Sequence, residues 1–370
     1  MSDVGEYDAI LLVAFGGPEA KQDVMPFLEN VTRGRNVPRE RLLEVAEHYD
    51  HFDGVSPLNG QVRDLREALK GELQRVGIEL PIHWGNRNWH PLLPDTMAEM
   101  ASQGIRRVLA VVLAGYSSYS SCRQYLENIE SAREAVGADA PVVDKVRAFF
   151  NHPEFVAASA ECLSEALVGF EDAEVAFTAH SIPAAMAREC DYAEQLTETG
   201  RLVAEACGVD PGRWQVVYQS RSGRPQDPWL EPDVVDHVRS LHERGVEAVV
   251  VHPIGFLSDH LEVLFDLDVE AAAVSAELGL RFSRAATVGV HPRFVGMLGE
   301  LIVERCMGTT GTAGTAGTAG TAGTAGTAGT AGTAGTAGTA GRLAVGTLPP
   351  CPDSCPAGCC ASGRAVRGEG

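Results

Sequence analysis

Short apolar runs that stop at Gly, Ser or Pro recur at residues 9–15, 108–114, 175–179, 214–218 and 248–253, and they constrain the fold more than any other feature of the chain. Each run is continuous rather than alternating, which is the pattern of a parallel strand covered on both faces. Stretches with apolar residues at helical spacing lie between them at 62–76, 125–136, 155–168 and 234–244. Strand and helix in alternation predict an α/β fold built on doubly wound parallel sheets. A length of 370 residues exceeds one average domain, so two compact units plus extra segments are expected.

The order of signals also repeats. VAFGGP at 13–18 resembles FTAHSIP at 177–183, and LAGYSS at 113–118 is echoed by HPIGFLS at 252–258. This predicts two similar halves, residues 1–150 and 151–290, followed by a closing helix at 291–307 that packs back on the first half. In open parallel sheets ligands collect beyond the carboxyl ends of the strands, and both echoed pairs put polar residues there.

The formal charge is −20, with 50 acidic against 30 basic residues, so the long-range field repels phosphate polymers and nucleic acid is not an expected partner. No apolar run approaches the roughly 18 residues of a spanning helix, and the start MSDVGEYDAI lacks the basic residues and apolar core of a signal peptide. A cytoplasmic protein without a transmembrane segment is expected. Nine cysteines, an odd number, suit a reducing compartment with metal chemistry better than a disulfide framework.

Residues 311–340 are ten uninterrupted copies of Gly-Thr-Ala, inside a segment 308–341 that reads as a flexible, disordered linker or as a repeat expansion without a role. A Gly-rich coil of about 34 residues has a root-mean-square span of roughly 30 Å. Beyond it lies a cysteine-rich tail, 342–370, with Cys351, Cys355, Cys359 and Cys360. Four thiolates at that spacing could close a zinc site or contribute to an iron–sulfur cluster, and loose free thiols are the plain alternative.

Two elements carry candidate chemistry. His180 follows the run 175–179 and precedes Ser181-Ile182-Pro183, a strand end where a ligand position is expected, although an isolated histidine is commonly a surface or core side chain. Residues 255–270 follow the run 248–253. There Ser258 or Asp259 is expected to cap a helix that stacks Glu262, Asp266 and Glu270 on one face and sets Leu261, Leu264, Phe265 and Val269 on the other. Such a face is either solvated or a conduit for a hard divalent cation, each oxygen replacing a lost water.

The strings LLVAFGGP, ENVTRGR, HYDHFDGVSPLNGQ, FTAHSIP, QSRSGRPQDPWLEPDV and HPIGFLSDHLEVLFDLDVE, in this order, resemble the ferrochelatase family across residues 8–306. The resemblance implies two Rossmann-like domains holding a porphyrin in the cleft between them. It implies His180 and Glu262 as the catalytic pair and as ligands of substrate Fe2+, with Asp259, His260, Asp266 and Glu270 as a metal-handling helix. Arg33, Arg35, His48, Tyr49, Ser56, Ser118 and Tyr125 lie in segments matching porphyrin-contacting loops, where arginine forks suit carboxylates. Phe15 stands where some relatives have an iron-reaching tyrosine, and it lacks the oxygen to do so.

The resemblance is strongest to an actinobacterial branch that metallates coproporphyrin III, giving coprohaem, and downstream haem-pathway enzymes are conceivable partners. Protoporphyrin IX is the alternative substrate, a cobalt-inserting relative is a further reading, and a non-catalytic tetrapyrrole or metal carrier is the alternative of another class. No nucleotide is implied. Some family members carry a 2Fe-2S cluster held by tail cysteines and one from the body, which here implies Cys162 with three of Cys351, Cys355, Cys359 and Cys360. Cys122, Cys190, Cys207 and Cys306 read more simply as small buried apolar residues.

Overall fold

A computed structural model of the chain describes residues 7–34, 37–224, 226–307, 342–356 and 358–363. Arg35 and the linker 308–341 lie outside the described residues, as does the end of the tail.

Among the described residues, eight strands form two four-stranded, wholly parallel sheets. The first holds β1 (Ala9–Ala14), β2 (Ile82–Asn86), β3 (Arg107–Val112) and β4 (Val142–Lys145) in the order β2-β1-β3-β4. The second holds β5 (Glu174–His180), β6 (Trp214–Gln219), β7 (Ala248–His252) and β8 (Arg281–Arg284) in the order β6-β5-β7-β8. The orders are equivalent, so the echo seen in sequence is a repeat of topology. The four central strands β1, β3, β5 and β7 all carry continuous apolar runs in sequence, because helices cover both of their faces, and the run 214–218 is the outer strand β6. The outer strands β2, β4 and β8 carry His83, Lys145 and Arg281 on partly exposed surface, and their sequences therefore lack that signal.

One continuous apolar core joins the sheets: Ile10 and Leu12 of β1, Leu109 and Val111 of β3, Val175 and Phe177 of β5 and Val250 of β7 all belong to it. The helix Pro292–Met307 adds Phe294, Leu298 and Leu301 to that core. It lies against both Leu58–Arg75 and Pro153–Ala166, rather than on the first half alone. Polar bonds also cross between the halves. The Tyr116 hydroxyl donates to the Ile254 carbonyl at 2.9 Å, and the Asp259 amide donates to Gln61 Oε1 at 2.9 Å. Among the described residues no helix is long and apolar enough to cross a membrane.

The turn after β7 is pressed onto β5. The Gly255 amide donates to the Thr178 carbonyl at 3.0 Å, and a Cβ at Gly255 would meet Ala179 Cβ at 2.5 Å and its Cα at 2.7 Å. Because a backbone atom is involved, the clash is not relieved by a rotamer change. Gly255→Ala is expected to destabilise the fold by about 1–3 kcal/mol, the range for overpacking, read as a lowered midpoint in thermal or urea unfolding.

Candidate active site

Parallel pairing sets His180, the last residue of β5, beside Gln219, the last residue of β6. Its imidazole Nδ1 is hydrogen-bonded to the Ser181 carbonyl, which accepts only, so Nδ1 carries a proton and Nε2 is the nitrogen that a neutral ring would leave with a lone pair. Nε2 stands 3.7 Å from Glu262 Oε2. The Tyr192 hydroxyl donates to the His180 carbonyl at 3.1 Å and ties the strand end to the helix Tyr192–Ala206. Both side chains of the pair keep access to solvent, His180 at 35% and Glu262 at 49%.

Glu262 reaches this position on an irregular helix. A first turn, Leu261–Val263, is capped by His260, whose Nδ1 accepts from the Glu262 amide at 3.2 Å; the cap is thus neither Ser258 nor Asp259 as the sequence suggested. The segment Leu264–Ala271 then continues as a π-helix. Leu261, Val263, Phe265, Leu267 and Ala271 are buried, whereas Leu264 and Val269 are only partly so. The wider winding keeps Glu262, Asp266 and Glu270 close enough that Glu262 and Glu270 both raise the pKa of Asp266.

Asp266 has the strongest perturbation of the three. Burial pushes its pKa up to about 7, against opposing hydrogen bonds from the Ser220 hydroxyl and from Gln219 Nε2, the latter at 3.2 Å. Ser220 holds this hydroxyl from a left-handed backbone, φ 60°, which a non-glycine residue seldom adopts. Burial also raises Glu270, aided by the charge of Asp233. His260 is pushed down by burial and so favours its neutral form. Asp259 is otherwise engaged: Arg284 Nη1 lies 3.2 Å from its Oδ1 and the Thr287 hydroxyl donates to the same oxygen at 3.3 Å.

The first half covers this helix. His48 stacks on Phe265 with ring centroids 3.8 Å apart and planes 7° from parallel, and burial lowers the His48 pKa. Tyr49 is buried in a cluster with Phe27, Leu42 and Leu261, and burial together with the Glu262 charge raises its phenol. Phe15 is 39% exposed at the end of β1, an open aromatic face. Arg87, directly after β2, places its guanidinium 5.6 Å from the Phe15 ring centroid and 4.5 Å from that of Tyr125.

Other expected contact residues have local duties. Ser56 is buried against Gly17 and its amide donates to the Pro18 carbonyl at 2.8 Å. Ser118 Oγ caps the turn Tyr119–Arg123 by accepting from the Ser121 amide at 3.1 Å. Arg33 is exposed after the helix Val24–Val31. Arg87, Gln219 and Ser220 were not singled out in sequence. The strings GNRNWHP and QSRSGRP contain them, but β2 hides behind polar residues and Ser220 is identified only by its backbone.

The thiols are arranged differently from the expected cluster. Cys162 is buried, its pKa pushed up to about 11 by burial, and its sulfur faces the Thr287 carbonyl at 4.0 Å, with no tail cysteine among its contacts. The tail instead lies near Cys122, since Cys355 and Cys122 shift each other's pKa, and Cys359 lies 3.5 Å from Cys360. Among the described residues, no group of three or more His, Cys, Asp or Glu side chains is disposed to hold a metal ion. The set of Cys162 with three of Cys351, Cys355, Cys359 and Cys360 is therefore not assembled, because the helix Pro153–Ala166 turns Cys162 toward residue 287 rather than toward the tail.

Comparison with known proteins gives concordant matches. The ferrochelatase family model matches residues 7–306. A ferrochelatase of Rhodopirellula baltica is 56% identical, over 82% of this chain and 88% of that protein. Coproporphyrin III ferrochelatases of Streptomyces coelicolor and Streptomyces griseus are 48% and 44% identical, covering 82% and 97% of this chain and 86% and 95% of theirs. Among solved structures, SirB from Bacillus subtilis with Fe3+ has a TM-score of 0.51 at 13% identity, over 80% of this chain and 95% of that one, a likeness of fold.

The raised Asp266 has a consequence for stability. Its folded pKa, about 7, exceeds the ordinary 3.8, so the folded state binds the extra proton between those values and loses stability as pH rises through them. Asp266→Asn keeps an acceptor for Ser220 and cannot ionise. Its stability relative to the unsubstituted protein is expected to grow from about pH 4 to about pH 7, by up to about 1.4 kcal/mol per unit. Urea unfolding at several pH values measures this; a pH-independent difference would remove Asp266 as the titrating group.

Proposed function

Since the chain belongs to the ferrochelatase family, we propose that it inserts ferrous iron into coproporphyrin III to give Fe-coproporphyrin III, releasing two pyrrole protons. The observation that carries this reading is the 3.7 Å approach of His180 Nε2 to Glu262 Oε2, with Nδ1 already committed to the Ser181 carbonyl. A lone pair and a carboxylate at that separation can accept protons and offer ligands to a dication in one place. The names carried by relatives at 48% and 44% identity support coproporphyrin III as the porphyrin.

In this reading His180 takes a pyrrole proton at Nε2, and Glu262 lowers the cost of bringing iron out of water. Asp266, held by Gln219 and Ser220 one turn along, accepts protons or passes the metal on, since a pKa near 7 lets it do either at neutral pH. Glu270 extends the path, and His260 fixes the first turn as its cap. Asp259, occupied by Arg284, anchors the helix rather than receiving iron. Phe15 offers the porphyrin an apolar face, and Arg87, with Arg33, supplies positive charge for its carboxylates. Tyr125, Ser56, Ser118, His48 and Tyr49 shape the walls around it. A division into residues 1–150 and 151–290 suits this arrangement, each half contributing one carboxyl edge. No 2Fe-2S cluster enters the reading, because the expected ligands do not fit one.

His180→Ala is expected to abolish iron insertion while porphyrin binding, followed by the shift of the porphyrin absorbance band, persists. Full activity in that variant would remove the assignment. Metallation of coproporphyrin III and protoporphyrin IX under the same conditions tests the substrate: a higher kcat/KM for coproporphyrin III is expected, and the reverse would make protoporphyrin IX the substrate. Binding of both without metallation would mark a carrier.

A further inference from the structure

Arg87 is held in place from several sides. Its Nε donates to Asn128 Oδ1 at 2.7 Å and its Nη1 to the Ser120 carbonyl at 3.4 Å, while the guanidinium lies 4.5 Å from the Tyr125 ring centroid. Its backbone is fixed as well: the Arg87 amide donates to the Ala14 carbonyl at 3.0 Å. The buried Asn86 before it donates from Nδ2 to Asn59 Oδ1 and to the His90 carbonyl, both at 3.1 Å. Every one of these acceptors is neutral. In a chain of formal charge −20, no carboxylate among the described residues pairs with Arg87. Glu127, next to Asn128 in the helix Gln124–Val136, is turned instead to Arg123 at 3.2 Å and to the Tyr119 hydroxyl at 2.9 Å.

We infer that Asn128 is a positioning residue that presets Arg87, without neutralising it, for one carboxylate of the porphyrin. The inference rests on coproporphyrin III being the substrate. An amide oxygen takes the Nε proton and brings no negative charge, whereas a carboxylate at the same place would form a charge-assisted pair and satisfy the cation internally. A guanidinium already immobilised loses little side-chain freedom when its ligand arrives. With Nε engaged and Nη1 partly so, the Nη2 edge is left for the incoming carboxylate. The same guanidinium lies 5.6 Å from the ring centroid of Phe15, the exposed aromatic at the end of β1, so charge and apolar face are offered side by side.

Asn128→Ala and Asn128→Asp in the full chain separate this role from a structural one. A merely structural bond would make Asp the better substitute, because a carboxylate holds Nε more tightly than an amide. The opposite order is expected. The Kd for coproporphyrin III, measured without iron by the shift of the porphyrin absorbance band, should rise roughly threefold in Asn128→Ala and roughly ten- to a hundredfold in Asn128→Asp. The thermal midpoint of Asn128→Asp should equal or exceed that of the unsubstituted protein, and KM should follow Kd while kcat changes by less than about twofold. Coproporphyrin III tetramethyl ester, presented in detergent micelles, has no carboxylate and should bind all three proteins alike. Unweakened binding of coproporphyrin III by Asn128→Asp, or a weakening shared by the ester, would overturn the inference. Should the unsubstituted protein bind coproporphyrin III without metallating it, the proposed function fails while the Kd series still decides the role of Asn128. No binding at all would remove both.

Discussion

The parallel ladder that places β5 between β6 and β7 is the constraint on which the site depends. It brings three strand ends to one edge, each continuing into different chemistry: an imidazole at the end of β5, an amide and a strained serine at the end of β6, an acidic helix beyond β7. Ladder hydrogen bonds fix relative heights far more firmly than loop packing could. The approach of Gly255 to Ala179 then sets where that helix begins. Glu262 thus meets His180 through two short backbone connections, each anchored in the same sheet.

The carboxylates on the irregular helix sit in an environment that resists their charge. Burial dominates the shifts of Asp266 and Glu270, and repulsion from neighbouring carboxylates adds to it. A fold selected only for stability would avoid both this crowding and a π-helical segment. In the proposed function, a dication passing among them would relieve that repulsion, and the crowding would then favour metal passage. Arg284 neutralises Asp259 and Asp268 and leaves the face toward His180 uncompensated.

The sequence was legible where side chains report burial. β1, β3, β5 and β7 are mostly apolar because both faces are covered, and the matching turns after them revealed the repeat. β2, β4 and β8 were missed because an outer strand tolerates His83, Lys145 or Arg281. In the site, His180 and Glu262 were visible as residues after strands. The cap by His260 and the bond from Ser220 to Asp266 were not, since both depend on backbone geometry that composition does not encode. The cysteine tail misled for a related reason. Spacing alone cannot tell which body thiol a tethered segment will face, and here anchors at Arg147, Asn151 and Glu198 decide in favour of Cys122.

Glu304, near the end of the last helix, lies 2.9 Å from Arg147 and 3.8 Å from Arg342, the first described residue beyond the Gly-Thr-Ala run. The described residues on either side of the run are therefore held at one spot. For a connection between ends fixed at one spot, the entropic cost of closure rises by only about 0.6 kcal/mol per doubling of length. Triplet number is then close to thermodynamically silent, and slippage during replication could lengthen or shorten the tract without disturbing the enzyme on either side.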